Sequence, residues 1–219
     1  MTKALLATLL ALTASTSQAA LMDRGGGLIY DDVLNITWLQ DANYAKTSGY
    51  DPTGVMTWDE AMAWADQLVI GNYSDWRLPR TVQPDSSCDD QYPGPLGFGA
   101  NCTGSELGYL FYINLGGSAD SSILASHNSN FLLFENVQNE FYWSETEYLN
   151  LSSQAWDFYM SNGYQYADYK FEPNSRYAWA VRDGDVAPTN NPSPIPEPSI
   201  FALLLIAGLS FLGIRQAKR

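Results

Sequence analysis

The chain has 219 residues, with 11 basic, 24 acidic and one histidine, a net charge of −13, and 46% hydrophobic residues. So acidic a surface repels nucleic acid and anionic lipid, and one histidine excludes the His-rich sites that hold zinc or iron. Seven Trp and fourteen Tyr give ample apolar area for one core.

Met1-Thr2-Lys3 leads into an apolar run, Ala4 to Leu12, and then small and polar residues to Ala19-Ala20. This is the pattern of a secretory signal peptide over residues 1–20, too short in its apolar part to remain a spanning helix. The folded part is expected over 21–186. Residues 28–30 and 35–40 alternate as two strands around an Asp31-Asp32 turn. Gly25-Gly26-Gly27 precedes a strand and lacks a following Lys-Ser/Thr, which makes it a turn and not a phosphate loop.

Thr57-Trp58-Asp59-Glu60 has the spacing of a capping box, with Thr57 and Glu60 exchanging hydrogen bonds at a helix start. Ala61, Trp64, Ala65 and Leu68 then recur at helical spacing, predicting a helix over 58–69. Tyr73 to Pro79 is a compact aromatic and charged segment. The Gly, Pro, Asp and Ser-rich stretch 81–103 holds the only cysteines, Cys88 and Cys102. In an oxidising compartment a disulfide between them is the expected state, contributing about 3 kcal/mol for a loop of roughly 15 residues. Ser105 is placed to cap a second helix carrying Leu107, Leu110 and Phe111 on its buried side.

Residues 141–144, 154–160, 164–171 and 177–182 are aromatic, β-prone runs, with Asn162-Gly163 as a hairpin turn. They predict an antiparallel sheet and, with the two helices, an α+β domain. Residues 187–198 are a Pro-rich linker containing Pro196-Glu197-Pro198. From Ser199 to Ile214 there is no charge, and Arg215, Lys218 and Arg219 follow. A transmembrane helix with a cytoplasmic basic tail is expected over 199–219. With four of the 11 basic residues in the two end segments, 7 basic residues face 24 acidic ones between them, a balance of −17.

Pro196-Glu197-Pro198, the apolar run and the basic tail together resemble the PEP-CTERM sorting signal of exopolysaccharide-producing Gram-negative bacteria. That resemblance implies an exosortase-type processing enzyme as partner, transient anchoring in the inner membrane, and delivery to the envelope, surface or extracellular matrix. An ordinary single-pass anchor is the alternative.

The body resembles a second family. The segment 35–43, Thr57-Trp58-Asp59-Glu60-Ala61, Trp76-Arg77-Leu78-Pro79, Glu106-Leu107, Tyr142-Trp143-Ser144, Ala155-Trp156 and Ala178-Trp179-Ala180-Val181-Arg182 follow the order and spacing of the Lcl C-terminal domain (Lcl_C). The Cys88 to Cys102 loop departs from the family by its length. The resemblance implies a C-type-lectin-like α+β single domain with two helices and a mainly antiparallel sheet, on a scaffold used for adhesion and glycan binding.

Glu172-Pro173-Asn174 and Gln83-Pro84-Asp85 match lectin calcium tripeptides in letters, but neither has the Trp-Asn-Asp partner, so turns are the reading and calcium the alternative. The pairs Asp31-Asp32 and Asp89-Asp90 and the run Asp183-Gly184-Asp185 likewise read as turns. No cofactor is implied otherwise. His127 sits in a polar loop without a nucleophile motif, and no catalytic constellation stands out. Arg77, beside Trp76, and Arg182, in the run bearing Trp179, are each expected to pair with a buried or half-buried acid and stack on a ring, fixing helix to sheet. Trp143, Trp156, Tyr159 and Tyr164 are the candidate ligand-binding aromatics. The expected function is a non-enzymatic surface module that binds glycan or matrix polymer in adhesion or biofilm. A secreted polysaccharide hydrolase using an Asp/Glu pair, or a passive structural envelope protein, is the alternative.

Overall fold

A computed structural model describes residues 21–91, 94, 96–171 and 176–186. The predicted signal peptide, the linker with Pro196-Glu197-Pro198, the segment 199–219 and Glu172-Pro173-Asn174 lie outside them. Among the described residues no helix is long and apolar enough to cross a membrane.

Two four-stranded sheets carry the fold. The first has the order β1-β2-β3-β10, with β1 Leu21–Gly25, β2 Leu28–Asp31, β3 Ile36–Leu39 and β10 Val181–Asp183, all antiparallel. The triple glycine turns β1 into β2, with φ of 75°, 64° and 80° at Gly25, Gly26 and Gly27, values a side chain would resist. Asp31 closes the next turn by accepting from the Val33 and Leu34 amides, each at 3.0 Å.

The second sheet has the order β8-β7-β6-β9, with β6 Phe141–Glu147, β7 Gln154–Tyr159, β8 Tyr164–Tyr169 and β9 Arg176–Tyr177. The pairs β6/β7 and β7/β8 are antiparallel, and β9 runs parallel to β6. Asn162-Gly163 forms the β7–β8 turn, Gly163 standing at φ 78°. The expected single C-terminal sheet is therefore corrected: its last run, 177–182, divides. Tyr177 stays beside β6, while Val181 and Arg182 cross to pair with Trp38 and Thr37 on β3. A short ribbon, β4 Asp90–Gln91 with β5 Gly97–Phe98, lies inside the loop closed by the Cys88–Cys102 disulfide.

Helices are few. α1 is one turn, Tyr44–Thr47, and α2 is Trp58–Asp66. The α2 capping box is complete: Thr57 accepts from the Glu60 amide, and the Glu60 carboxylate accepts from the Thr57 amide at 2.9 Å. The helix stops at Asp66, three residues before the predicted end, because Ile70 turns back to bridge Tyr73. The second predicted helix is α3, Glu106–Tyr109, continued by a π-helical turn, Leu110–Asn114. Ser105 stands at its N-cap without capping it, since its hydroxyl accepts from the Val82 amide at 3.2 Å instead.

All seven tryptophans are buried, the most exposed, Trp58, at 8%. The Trp179 ring meets Trp38 edge-on at 5.3 Å, Phe134 at 5.1 Å and Tyr142 at 5.5 Å, so this one indole joins both sheets. Four indoles also anchor backbone: Trp58 to Ser144 O, Trp76 to Tyr73 O, Trp143 to Met56 O and Trp179 to Leu39 O.

The arginines tie elements together. Arg77 donates to both oxygens of Glu106 at the start of α3 and to Asp183 at the end of β10. Burial is the largest single influence and disfavours the charge, but the bonds and charges of Glu106 and Asp183 together outweigh it, so the Arg77 guanidinium stays protonated. Arg182 grips the exposed Asp75 with two bonds, 2.8 and 2.9 Å, and lies 4.4 Å from the Tyr73 ring centre. Both arginines pair with an acid, but only Arg77 has a sheltered one, Glu106, since Asp75 is exposed; the ring stacking is present at Arg182 and, among the described residues, not at Arg77.

Candidate functional site: an open aromatic face

Alternation along β6, β7 and β8 gives the second sheet two unlike faces. Tyr142, Trp156, Phe158 and Gln165 point inward and are buried. Phe141, Trp143, Asp157, Tyr159, Tyr164, Tyr166, Asp168 and the β9 residue Arg176 share the other face by register.

That outer face is closed at one end. The Trp143 ring is fully buried, its Nε1 donating to Met56 O at 2.9 Å in the segment that leads into α2. At the other end Phe141, Tyr159, Tyr164 and Tyr166 are only half-buried. Phe141 and Tyr159 stack at 4.0 Å with planes 5° apart, Tyr166 lies 6.1 Å from Phe141, and Tyr164 lies 5.9 Å from Tyr166. The four rings form a continuous strip across three strands. At its end the Tyr164 hydroxyl donates to Asp120 Oδ1 at 2.8 Å, and that bond raises the phenol pKa.

Beside the strip, on the same face, lies a buried charge pair. Arg176 is 5.1 Å from both the Phe141 and Trp143 ring centres and donates to Asp157 Oδ2 at 3.0 Å and to Asp168. Asp157 is wholly buried, and among the described residues its Oδ1 has no hydrogen-bond donor. Burial pushes the Asp157 carboxyl up to about 7 against the pull of Arg176.

The predicted aromatics therefore separate. Tyr159 and Tyr164 belong to the open strip. Trp143 and Trp156 do not: Trp143 is covered by the Met56 segment, and Trp156 faces inward, 1% exposed and 4.5 Å from Phe98. Both are corrected from ligand-binding to core residues. Phe141 and Tyr166 are strip members that the sequence reading passed over, although Tyr164-x-Tyr166 is itself a same-face signal in a strand.

Two hollows lie elsewhere. One, of about 160 Å³, is lined by Gly26, Leu39, Asp41, Tyr44, Ile70 and Glu135 among others. The second, of about 320 Å³, is lined by Asn43, Lys46, Thr47, Thr53, Asn136, Gln138 and Tyr177.

The calcium alternatives meet occupied side chains. The Gln83 amide is paired with the Gly97 backbone, and the Asp85 carboxylate accepts from Ser87 and Gly104. Asp85 sits beside Cys88 and Cys102, a trio with metal-ligand proximity, but both sulfurs are in the disulfide and offer no thiolate. Asp183 is bound by Arg77 and Arg80, and Asp185 by Arg24. His127 is exposed and stacks on Phe131 at 4.2 Å.

A mixed helix and sheet domain, mainly antiparallel and with few helices, is the class these elements define. The chain matches the Lcl C-terminal domain family over residues 27–182, and it belongs to that family. No curated protein and no solved structure matches it.

Proposed function

We propose that the folded unit is a non-enzymatic binding module for polysaccharide, held or released at the surface of a Gram-negative cell in adhesion or biofilm. The observation that carries this reading is the strip of Phe141, Tyr159, Tyr164 and Tyr166, left half-open in a protein that buries all seven of its tryptophans. Flat rings with polar edges suit the apolar faces and hydroxyl rims of sugar rings. Family membership supports a C-type-lectin-like reading of the fold, although a fold alone does not fix a ligand.

Export is part of the proposal. It rests on the signal-peptide pattern of residues 1–20 and on the Pro196-Glu197-Pro198 cassette. On this reading an exosortase-type enzyme is the processing partner, and the segment 199–219 holds the chain in the inner membrane until then. The strongly acidic balance favours neutral or lightly charged polymer over nucleic acid.

The test is a pull-down of the purified chain on neutral polysaccharides and on exopolysaccharide from a producing strain. Tyr159→Ala and Tyr164→Ala should each weaken retention while the circular dichroism spectrum stays unchanged. Equal retention of both variants and the parent would rule out the strip.

A hydrolase reading retains one observation: Asp41 and Glu135 line the same 160 Å³ hollow. Asp41 Oδ1 already accepts from the Asn43 amide at 2.8 Å, which ties it to a structural duty. Release of reducing ends that stops in Asp41→Asn and in Glu135→Gln would establish this reading in place of the first.

A further inference from the structure

Six of the seven basic side chains in the described residues are held in ion pairs: Arg24, Arg77, Arg80, Lys170, Arg176 and Arg182. Such pairing is what so acidic a domain should do with its few cations. Among the described residues Lys46 is the exception. It is exposed at the last turn of α1 and borders the 320 Å³ hollow, whose other lining side chains are Asn43, Thr47, Thr53, Asn136, Gln138 and Tyr177. None of those is an acid, and none is aliphatic.

The hollow's polar groups are under-used. Asn43 is 4% exposed, yet its amide makes one long hydrogen bond, 3.5 Å to Thr53 O, and its Oδ1 is buried without a donor. That oxygen lies against Gly54, at φ 83°, where a Cβ would come within 1.8 Å of it, so Asn43 forms the hollow's wall. Gln138 donates to Asn136 O at 2.6 Å. Among the described residues no hydrogen bond engages the Asn136 side chain, the Tyr177 hydroxyl or Lys46 Nζ. The nearest acids in sequence, Asp41 and Asp51, are occupied by the Asn43 amide and by Thr53 and Gly54.

One cation ringed by amides, two hydroxyls and a phenol fits one anionic group carried on a hydroxyl-rich molecule. We propose that this hollow is a binding site for the carboxylate of a sugar acid, with Lys46 receiving the carboxylate and Asn136, Gln138 and Tyr177 facing the hydroxyls. The inference deepens the polysaccharide reading and rests on it. It selects lightly carboxylated chains, because the surrounding negative field repels a densely charged or sulfated polymer. The strip and the hollow share β9, which carries Arg176 to the strip side and Tyr177 to the hollow side.

The probes are a uronic-acid trisaccharide, its neutral methyl ester of the same shape, and a sulfated polysaccharide, each titrated calorimetrically into the purified full chain. The acid should bind about tenfold tighter than the ester, the scale of one sheltered charge-assisted contact, and the sulfated polymer should bind no better than the ester. Lys46→Gln should bring the acid down to the ester's affinity, and Lys46→Arg should restore most of the difference. Equal affinity for acid and ester, binding of neither, or a preference that survives Lys46→Gln would each overturn the proposal. Tyr164→Ala separates the two readings: it should weaken retention on neutral polymer and leave the acid-to-ester ratio as it was.

Discussion

Arg77 donates both arms of its guanidinium fork to the two oxygens of Glu106, each at 2.8 Å, with both side chains only 12% exposed. The same carboxylate accepts from the Arg80 amide at 2.7 Å, so one acid fixes the 76–80 segment to the start of α3. Removing one partner leaves a sheltered charge unmatched, and Arg77→Ala should lower stability by about 3 kcal/mol. Arg77→Lys should recover only part of this, because a lysine cannot reproduce the fork. Urea unfolding of the three proteins measures both differences.

The α2 capping box makes a smaller claim. Thr57→Ala removes the acceptor for the Glu60 amide and should cost about 1 kcal/mol, with unfolding still in one step. Thr57→Ser should be close to neutral. A cost above about 2 kcal/mol would show that the Thr57 methyl group, and not the cap, is what matters.

Asp157 predicts a pH dependence of unusual sign. Its carboxyl titrates near 7 in the folded chain against a reference value of 3.8. Between those values the folded state holds a proton that the unfolded state has released, so this group's contribution makes stability fall as pH rises from about 4 to about 7. Asp157→Asn should flatten that part of the curve. Asp75, lowered by its bond to Arg182, and Asp183, where burial pushes upward but Arg77 and Arg80 together outweigh it, act the other way. Their contribution is present above the reference value and is lost as pH falls through their folded values. Unfolding midpoints between pH 3 and 8 for parent and variant resolve the two trends.

Strip and core aromatics should respond differently to truncation. Trp143→Ala opens a large cavity and should cost about 3–5 kcal/mol, whereas Tyr159→Ala and Tyr164→Ala should change stability by less than half as much and act on polymer retention. Comparable losses of stability at all three positions would mean that the strip is packing and not platform.

Reduction of Cys88–Cys102 should cost about 3 kcal/mol by loosening the unfolded chain's constraint. The effect should appear in midpoint shifts under reducing agent and be absent in a Cys88→Ser, Cys102→Ser double variant.

Local chemistry was readable from the sequence, and coverage was not. The capping box, the triple-glycine turn, the Asn162-Gly163 turn and the strands around Trp38, Trp143 and Trp156 follow from spacing over a few residues. The need to pair Arg77 and Arg182 followed from the scarcity of bases in an acidic chain, although their partners Glu106 and Asp75 are 29 and 107 residues away. Alternation puts Trp143 and Tyr159 on one face. Which of them is covered depends on Met56, 87 residues from Trp143, passing over one end of the sheet. The same remoteness hid the division of the last β-prone run, since nothing near Val181 announces that its partner is Trp38.

That last pairing also sets a schedule. β3 has no antiparallel neighbour on its β10 side until the final strand arrives, and the Trp179 indole must reach Leu39 O across 140 residues. A core joined by its two extremes closes late, because distant segments must meet before their contacts reward the meeting. A growing chain thus cannot complete this core until nearly all of residues 21–186 are available to it.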